Sequence, residues 1–165
     1  MTRLSRLLLA AVLALPTGIS ALVVSPATFV RADPAPEPPG PTEPLTIVTA
    51  SGAHRFAVEV MRSDAQRELG LMYRRSLAAD RGMLFAFGTV QPVMMWMKNT
   101  YIPLDMIFMD KTGHVASIVA NARPLSEQIL TSGVPVYSVL EVNAGTAAKI
   151  GLKLGDSVQN ELFGN

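Results

Sequence analysis

The chain contains no cysteine. That excludes a disulfide framework, a thiol nucleophile, a cysteine-ligated metal and the lipid anchor of a bacterial lipoprotein, which is attached at a cysteine. Histidine is nearly missing too. His54 and His114 stand alone near expected turns, so there is neither zinc-ligand spacing nor a serine–histidine pair for nucleophilic catalysis. A basic run is also lacking. Residues 1–32 carry three arginines (Arg3, Arg6, Arg31) and no acids, so their removal leaves 11 bases against 13 acids, a net charge of −2. Such a balance offers no footprint for a phosphate backbone, and no nucleic-acid partner is expected.

What is present begins with an address. Arg3 and Arg6 precede an unbroken apolar stretch from Leu7 to Leu15, and Val30-Arg31-Ala32 offers a cleavage site before Asp33. This pattern is that of a signal peptide over 1–32, which predicts a periplasmic or otherwise exported protein. The alternative is an uncleaved anchor, because Leu4 to Val24 is about long enough to cross a bilayer; Pro16 and Gly18 work against that helix. A membrane is expected to matter only through this segment. Residues 33–44 hold six prolines and read as an extended, solvated linker.

Residues 45–165 remain as a single domain, with enough chain for one core. Leu45 to Ala50 and His54 to Met61 alternate around Ser51-Gly52 and predict a hairpin. Ser63 and Gln66 form a capping box, so a short helix is expected from Asp64 to Leu69, closed by Gly70. Strands are then predicted over 82–87, 93–98, 104–109, 115–119, 136–142 and 157–163. A turn is expected at Asp110–Gly113, and a short helix over 143–150 capped by Asn143. The fold class is mainly β: a jelly-roll-like sandwich or barrel of short, mostly antiparallel strands with one or two short helices.

The densest chemistry lies in Met94-Met-Trp-Met-Lys-Asn-Thr100 and Pro103-Leu-Asp105. In a strand, Met95 and Met97 share one face, while Met94, Trp96 and Lys98 share the other. Asp105 comes close enough to pair with Lys98 or to accept backbone amides. Gly70-Leu-Met72, Gly82-Met-Leu-Phe85, Trp96-Met-Lys-Asn-Thr100, Pro103-Leu-Asp105, Leu140-Glu141 with Ala144-Gly145, and Gly155-Asp156 follow in order. Together they resemble the domain of unknown function 192 family (DUF192), small and often exported prokaryotic proteins, over residues 56–158. The resemblance implies a mostly β, jelly-roll-like fold and brings no established activity. Met95 stands where the family carries an aromatic.

Four readings of the site stay open. Trp96, Lys98, Asn99, Asp105 and Glu141 form a polar patch for a glycan or envelope ligand, with the indole as stacking surface. Alternatively the same residues are structural, and the domain acts by docking onto a partner. A third reading is an enzyme using Asp105 and Glu141 as paired carboxylates on a glycan. The fourth is Cu(I) held by Met94, Met95 and Met97, set against methionine's ordinary use as core filler. The reading taken forward is a non-catalytic binding or accessory module, without cofactor or metal and with no catalytic residue assigned. Arg67, Arg74 and Arg75 are read as a solvated face, and Asp156 as a turn cap.

Overall fold

The computed structural model describes residues 39–164. The expected signal segment and the start of the linker lie outside these residues. Among the described residues no helix is long and apolar enough to cross a membrane. Seven strands form one sheet in the order β5-β4-β6-β3-β2-β1-β7.

The first two strands, β1 (Glu43–Thr49) and β2 (Gly52–Met61), pair as the expected antiparallel hairpin. Helix α1 (Asp64–Leu69) carries both bonds of its capping box, Gln66 N–H to Ser63 Oγ at 3.2 Å and Ser63 N–H to Gln66 Oε1 at 2.9 Å. Gly70 ends it at φ +48, in the left-handed range a side chain disfavours. Because α1 carries the chain back, β3 (Arg81–Met95) pairs parallel to β2, the one parallel pair among these strands.

The sequence predicts two strands over 82–98. Instead β3 is a single bent strand that leaves the sheet at Met95, so Trp96, Met97 and Lys98 lie beyond it. Gly88 to Pro92 bulges rather than turns back, because β6 (Leu130–Asn143) follows β3 through the irregularity and sets Pro135 opposite Pro92. A proline cannot donate to the ladder, and bulges are where sheets accept it.

β4 (Leu104–Met109), β5 (Val115–Ala122) and β7 (Ser157–Gln159) complete the sheet. The expected helix over 143–150 is shorter. Asn143 ends β6, and its amide donates to the carbonyls of Leu77 and Ala78. α2 (Thr146–Lys149) starts instead after Gly145, with no side-chain cap. The last predicted strand stops at Gln159 and gives way to a 3-10 turn, Glu161–Phe163, capped by Asn160 Oδ1.

The sheet curls until its edge strands nearly meet. His114 bridges Ser157, Val115 N–H reaches the Asp156 carbonyl at 2.9 Å, and Val158 N–H the Gly113 carbonyl at 2.8 Å. Strand alternation then divides the core in two. Leu45, Ile47, Val58, Leu84, Ile107 and Leu140 fill the inside of the curl. Leu71, Met83, Phe85, Met97, Met106 and Phe108 form the core of the outer face, roofed by the connections after α1 and β3. Each fully buried side chain of this size contributes roughly 1.5–3 kcal/mol. Gly82 is a tight point between β3 and β6: a Cβ there would lie 2.9 Å from the Glu141 carbonyl oxygen.

Candidate functional site

The roof of the outer face is fixed by a clasp between two connections. After β3 the chain turns through Met97 to Thr100, closed by Thr100 N–H on the Met97 carbonyl at 3.1 Å. Asn99 takes the left-handed position, φ +55, which asparagine tolerates better than most residues. Its amide donates to Tyr73 Oη at 2.8 Å, and the Tyr73 N–H donates to the Asn99 carbonyl at 2.8 Å. Tyr73 itself sits at φ +64, a backbone strain of order 1 kcal/mol or more held by these bonds. Asn99 thus acts within the protein, anchoring the segment that carries Met72.

Trp96 and Lys98 stay together, although outside any strand. The Lys98 ammonium lies 5.0 Å from the centre of the Trp96 ring, a cation–π contact. Trp96 is 41% exposed and Met94 72%, whereas Met97 is fully buried. The alternating exposure expected across Met94–Lys98 survives the end of the strand. The three methionines consequently do not converge as one thioether set.

Asp105 is fully buried and needs no lysine. Its Oδ1 accepts the Asn121 N–H at 2.9 Å and its Oδ2 the Ala147 N–H at 2.8 Å. It ties β4 to β5 and to the start of α2, so of its two expected roles it takes that of amide acceptor. Asp105 and Glu141 are not a catalytic pair. Asp105 stands opposite Val142 in the register, while Glu141 stands opposite Met106 and Met83. One residue of offset puts the two carboxylates on opposite faces of the sheet.

Glu141 faces the outer side at the base of a pocket of about 320 Å³. Phe85, Phe87, Met72, Met95 and Trp96 wall it, with Arg67 and Glu68 at the α1 side. Gly70 lines it closely, and a Cβ there would meet the Phe85 ring at 3.1 Å. Glu141 is 4% exposed, and among the described residues it has no hydrogen-bond or ion-pair partner. Burial pushes its carboxyl up to about 8, so at neutral pH it is mostly protonated and can donate one hydrogen bond. Arg67 brings no unclaimed charge: it pairs with Asp64, donates to the carbonyls of Arg62 and Ala86, and lies 5.6 Å from the centre of the Phe87 ring. A shallower groove lies on the Lys98 side of Trp96, lined by Glu68, Tyr73 and Asn99.

Sequence reasoning missed Glu59 and Arg74. Both are buried and joined by two bonds, Nη1 to Oε1 at 2.5 Å and Nη2 to Oε2 at 2.8 Å. Burial works to raise the Glu59 carboxyl. The Arg74 bonds, the Gly40 N–H at 2.9 Å and the charges of Arg74 and Arg81 outweigh it and hold the group below its ordinary value. The available signal was an acid between Val58 and Val60 in an alternating strand. Arg74 is therefore no part of a solvated face, and Arg75 lies 5.1 Å from the centre of the Tyr101 ring. The linker also departs from expectation at its end, since Gly40 is tied to Glu59 and β1 begins at Glu43. Asp156 accepts the Lys153 N–H at 2.8 Å, as expected of a turn cap.

The model of the family described as DUF192, "Uncharacterized ACR", matches residues 46–160. No curated protein matches the chain. Two solved structures are similar over nearly their whole length. A Sinorhizobium meliloti 1021 protein, which bears the name "putative transcription regulator", is 46% identical with a TM-score of 0.72, covering 79% of this chain and 99% of its own. A Novosphingobium aromaticivorans DSM 12444 protein of unknown function is 41% identical with a TM-score of 0.72, covering 78% and 93%.

Proposed function

This chain belongs to the DUF192 family, and from that premise we propose that it is an exported, non-catalytic binding module that takes a small ligand over Glu141 beside Trp96. One observation carries the reading: a buried, unpartnered carboxyl opens into a pocket with an exposed indole at its edge. A fold gains nothing from such a group, and local rules are broken most often where a site is built. Apolar walls with one polar group at the base suit a ring or chain that ends in a hydrogen-bonding function.

The placement of the carboxylates supports binding over acid–base catalysis, because Asp105 is on the other face with both oxygens in use. A glycan is accommodated by the open part of the Trp96 ring and the Lys98 groove. Arg62, Arg67 and Arg74 each pair with an acid (Glu43, Asp64 and Glu59) and offer phosphates little.

Trp96 is the only tryptophan, so its emission reports on the pocket directly. The full chain should be titrated with cell-wall glycan fragments and with small aryl amines, alcohols and acids. A saturable change that disappears in Glu141→Leu is the expected result. Unchanged emission across the whole panel would overturn the reading. Export is checked separately, by the mass of the chain recovered from a periplasmic extract, expected to begin at Asp33.

A further inference from the structure

The ligand's charge follows from what faces the pocket. Glu141 can serve a ligand in two ways: neutral, it donates one hydrogen bond; ionised, it accepts several and offers a charge. The second is favourable only if the ligand brings the opposite charge into the same desolvated space. The walls suit such a charge. Phe85 adds an aromatic ring, Trp96 and Phe87 offer the parts of their rings not taken by Lys98 and Arg67, and Met72 and Met95 add polarisable thioethers.

The charged groups nearby point the same way. Arg67 is committed to Asp64 and to two carbonyls, so it has little to offer an anion. Glu68, exposed on the α1 side, adds negative charge. Lys98 lines the neighbouring groove rather than the pocket. An anionic ligand would meet the Glu68 carboxylate and a guanidinium already in use, and a neutral one would leave most of the capacity of Glu141 unused.

Resting on the binding reading above, we infer that the Glu141 pocket receives the ammonium group of a small amine carried on an apolar or ring-shaped body. Binding has a proton balance. The Glu141 carboxyl releases its proton to solvent, the ligand's ammonium keeps all of its own, and a carboxylate–ammonium pair forms in the pocket. Amine affinity therefore rises by up to about tenfold per pH unit below about 8 and levels off above it.

The test is calorimetric, on the full chain, with phenethylamine, its uncharged counterpart 2-phenylethanol, and 3-phenylpropionate. Titrations at about pH 6, 7 and 8, in buffers of different ionisation enthalpy, count the protons exchanged. The expected result is amine binding with release of close to one proton at the lower two pH values. Weak alcohol binding without release and no binding of the acid are expected alongside it. Glu141→Gln should lower amine affinity at least about 30-fold and leave the alcohol little changed. Because the proton count is taken on the unaltered chain, it stands even if that variant folds poorly. Alcohol bound as tightly as amine, with no proton released, overturns the inference and leaves the binding reading intact. Failure of all three to bind overturns the inference, and the binding reading falls with it only if the glycan fragments also leave Trp96 emission unmoved.

Discussion

Glu59 and Glu141 lie in one row across the outer face, each level with Met83 on β3. They stand two strands apart, about 10 Å at the usual strand spacing. Both are nearly inaccessible, and both belong to strands of apolar residues. Yet Glu59 is held ionised by the Arg74 fork and the Gly40 amide, while Glu141 has no such partner among the described residues and burial drives it toward its neutral form. Equal burial thus gives opposite chemistry, and the partner decides which. Glu59 closes the fold around itself and binds the end of the linker to the sheet. Glu141 lines the pocket beside Trp96, where a ligand can use its hydrogen-bonding capacity.

The sharpest way to break this contrast is to make Glu59 resemble Glu141. Arg74→Ala leaves a buried carboxylate without its cation, which should cost about 3–5 kcal/mol in urea unfolding. Adding Glu59→Gln to that variant should restore part of the loss, because the stranded charge is gone. A cost below about 1 kcal/mol would place the pair among solvent-screened surface bridges, and the contrast with Glu141 would then lose one of its sides.

A smaller effect separates the two acids by pH. The folded-state value of Glu141 is raised to about 8, so between its unfolded value and that point only the unfolded chain has lost the proton. Stability attributable to Glu141 therefore falls as pH rises from about 5 to 8, by on the order of 1 kcal/mol per unit, and is flat above. Glu59 has the opposite sign. Its lowered value gives stability that is present above its unfolded value and is lost as pH falls through the folded one. Urea midpoints of the wild type and Glu141→Gln across this range should diverge with rising pH, the variant gaining relative to the wild type. Parallel curves would mean that Glu141 is not held neutral by burial.

Which of these features could be read from sequence depends on how local their causes are. The β1–β2 hairpin and the capping box of α1 were legible because a few adjacent residues determine them. So was the alternation of exposed Met94 and Trp96 with buried Met97, which keeps the two-residue period of the strand before it. The β3 arm was misread, since Gly88 and Pro92 look like a turn until β6 is seen to bulge beside them. The Asn143 cap failed similarly, because carbonyls at Leu77 and Ala78 claim its amide from far along the chain. At the candidate site, Trp96 and Glu141 stand out individually in the sequence, but the pairing of Glu141 with Asp105 turned on a register that no local signal fixes. Glu59 and Arg74 went unseen for the same reason: 15 residues and a helix separate them.

The smallest effect concerns the two sides of Trp96, one toward the Glu141 pocket and the other toward the Lys98 groove. The Lys98 contact is partly exposed, so Lys98→Ala should cost no more than about 0.5–1 kcal/mol in stability. It should change the unliganded Trp96 emission, because a charge leaves the ring, yet leave the ligand-dependent change nearly intact. Glu141→Gln should do the reverse, with a near-normal resting spectrum and a lost response to amine. If Lys98→Ala instead abolishes the response and Glu141→Gln does not, the ligand stacks in the groove beside Glu68 and Tyr73. That surface, with its lysine and tyrosine edge, suits a glycan hydroxyl rim better than an ammonium. Glu141 would then be a buried acid that weakens the fold without serving the ligand, and its difference from Glu59 would be one of stability alone.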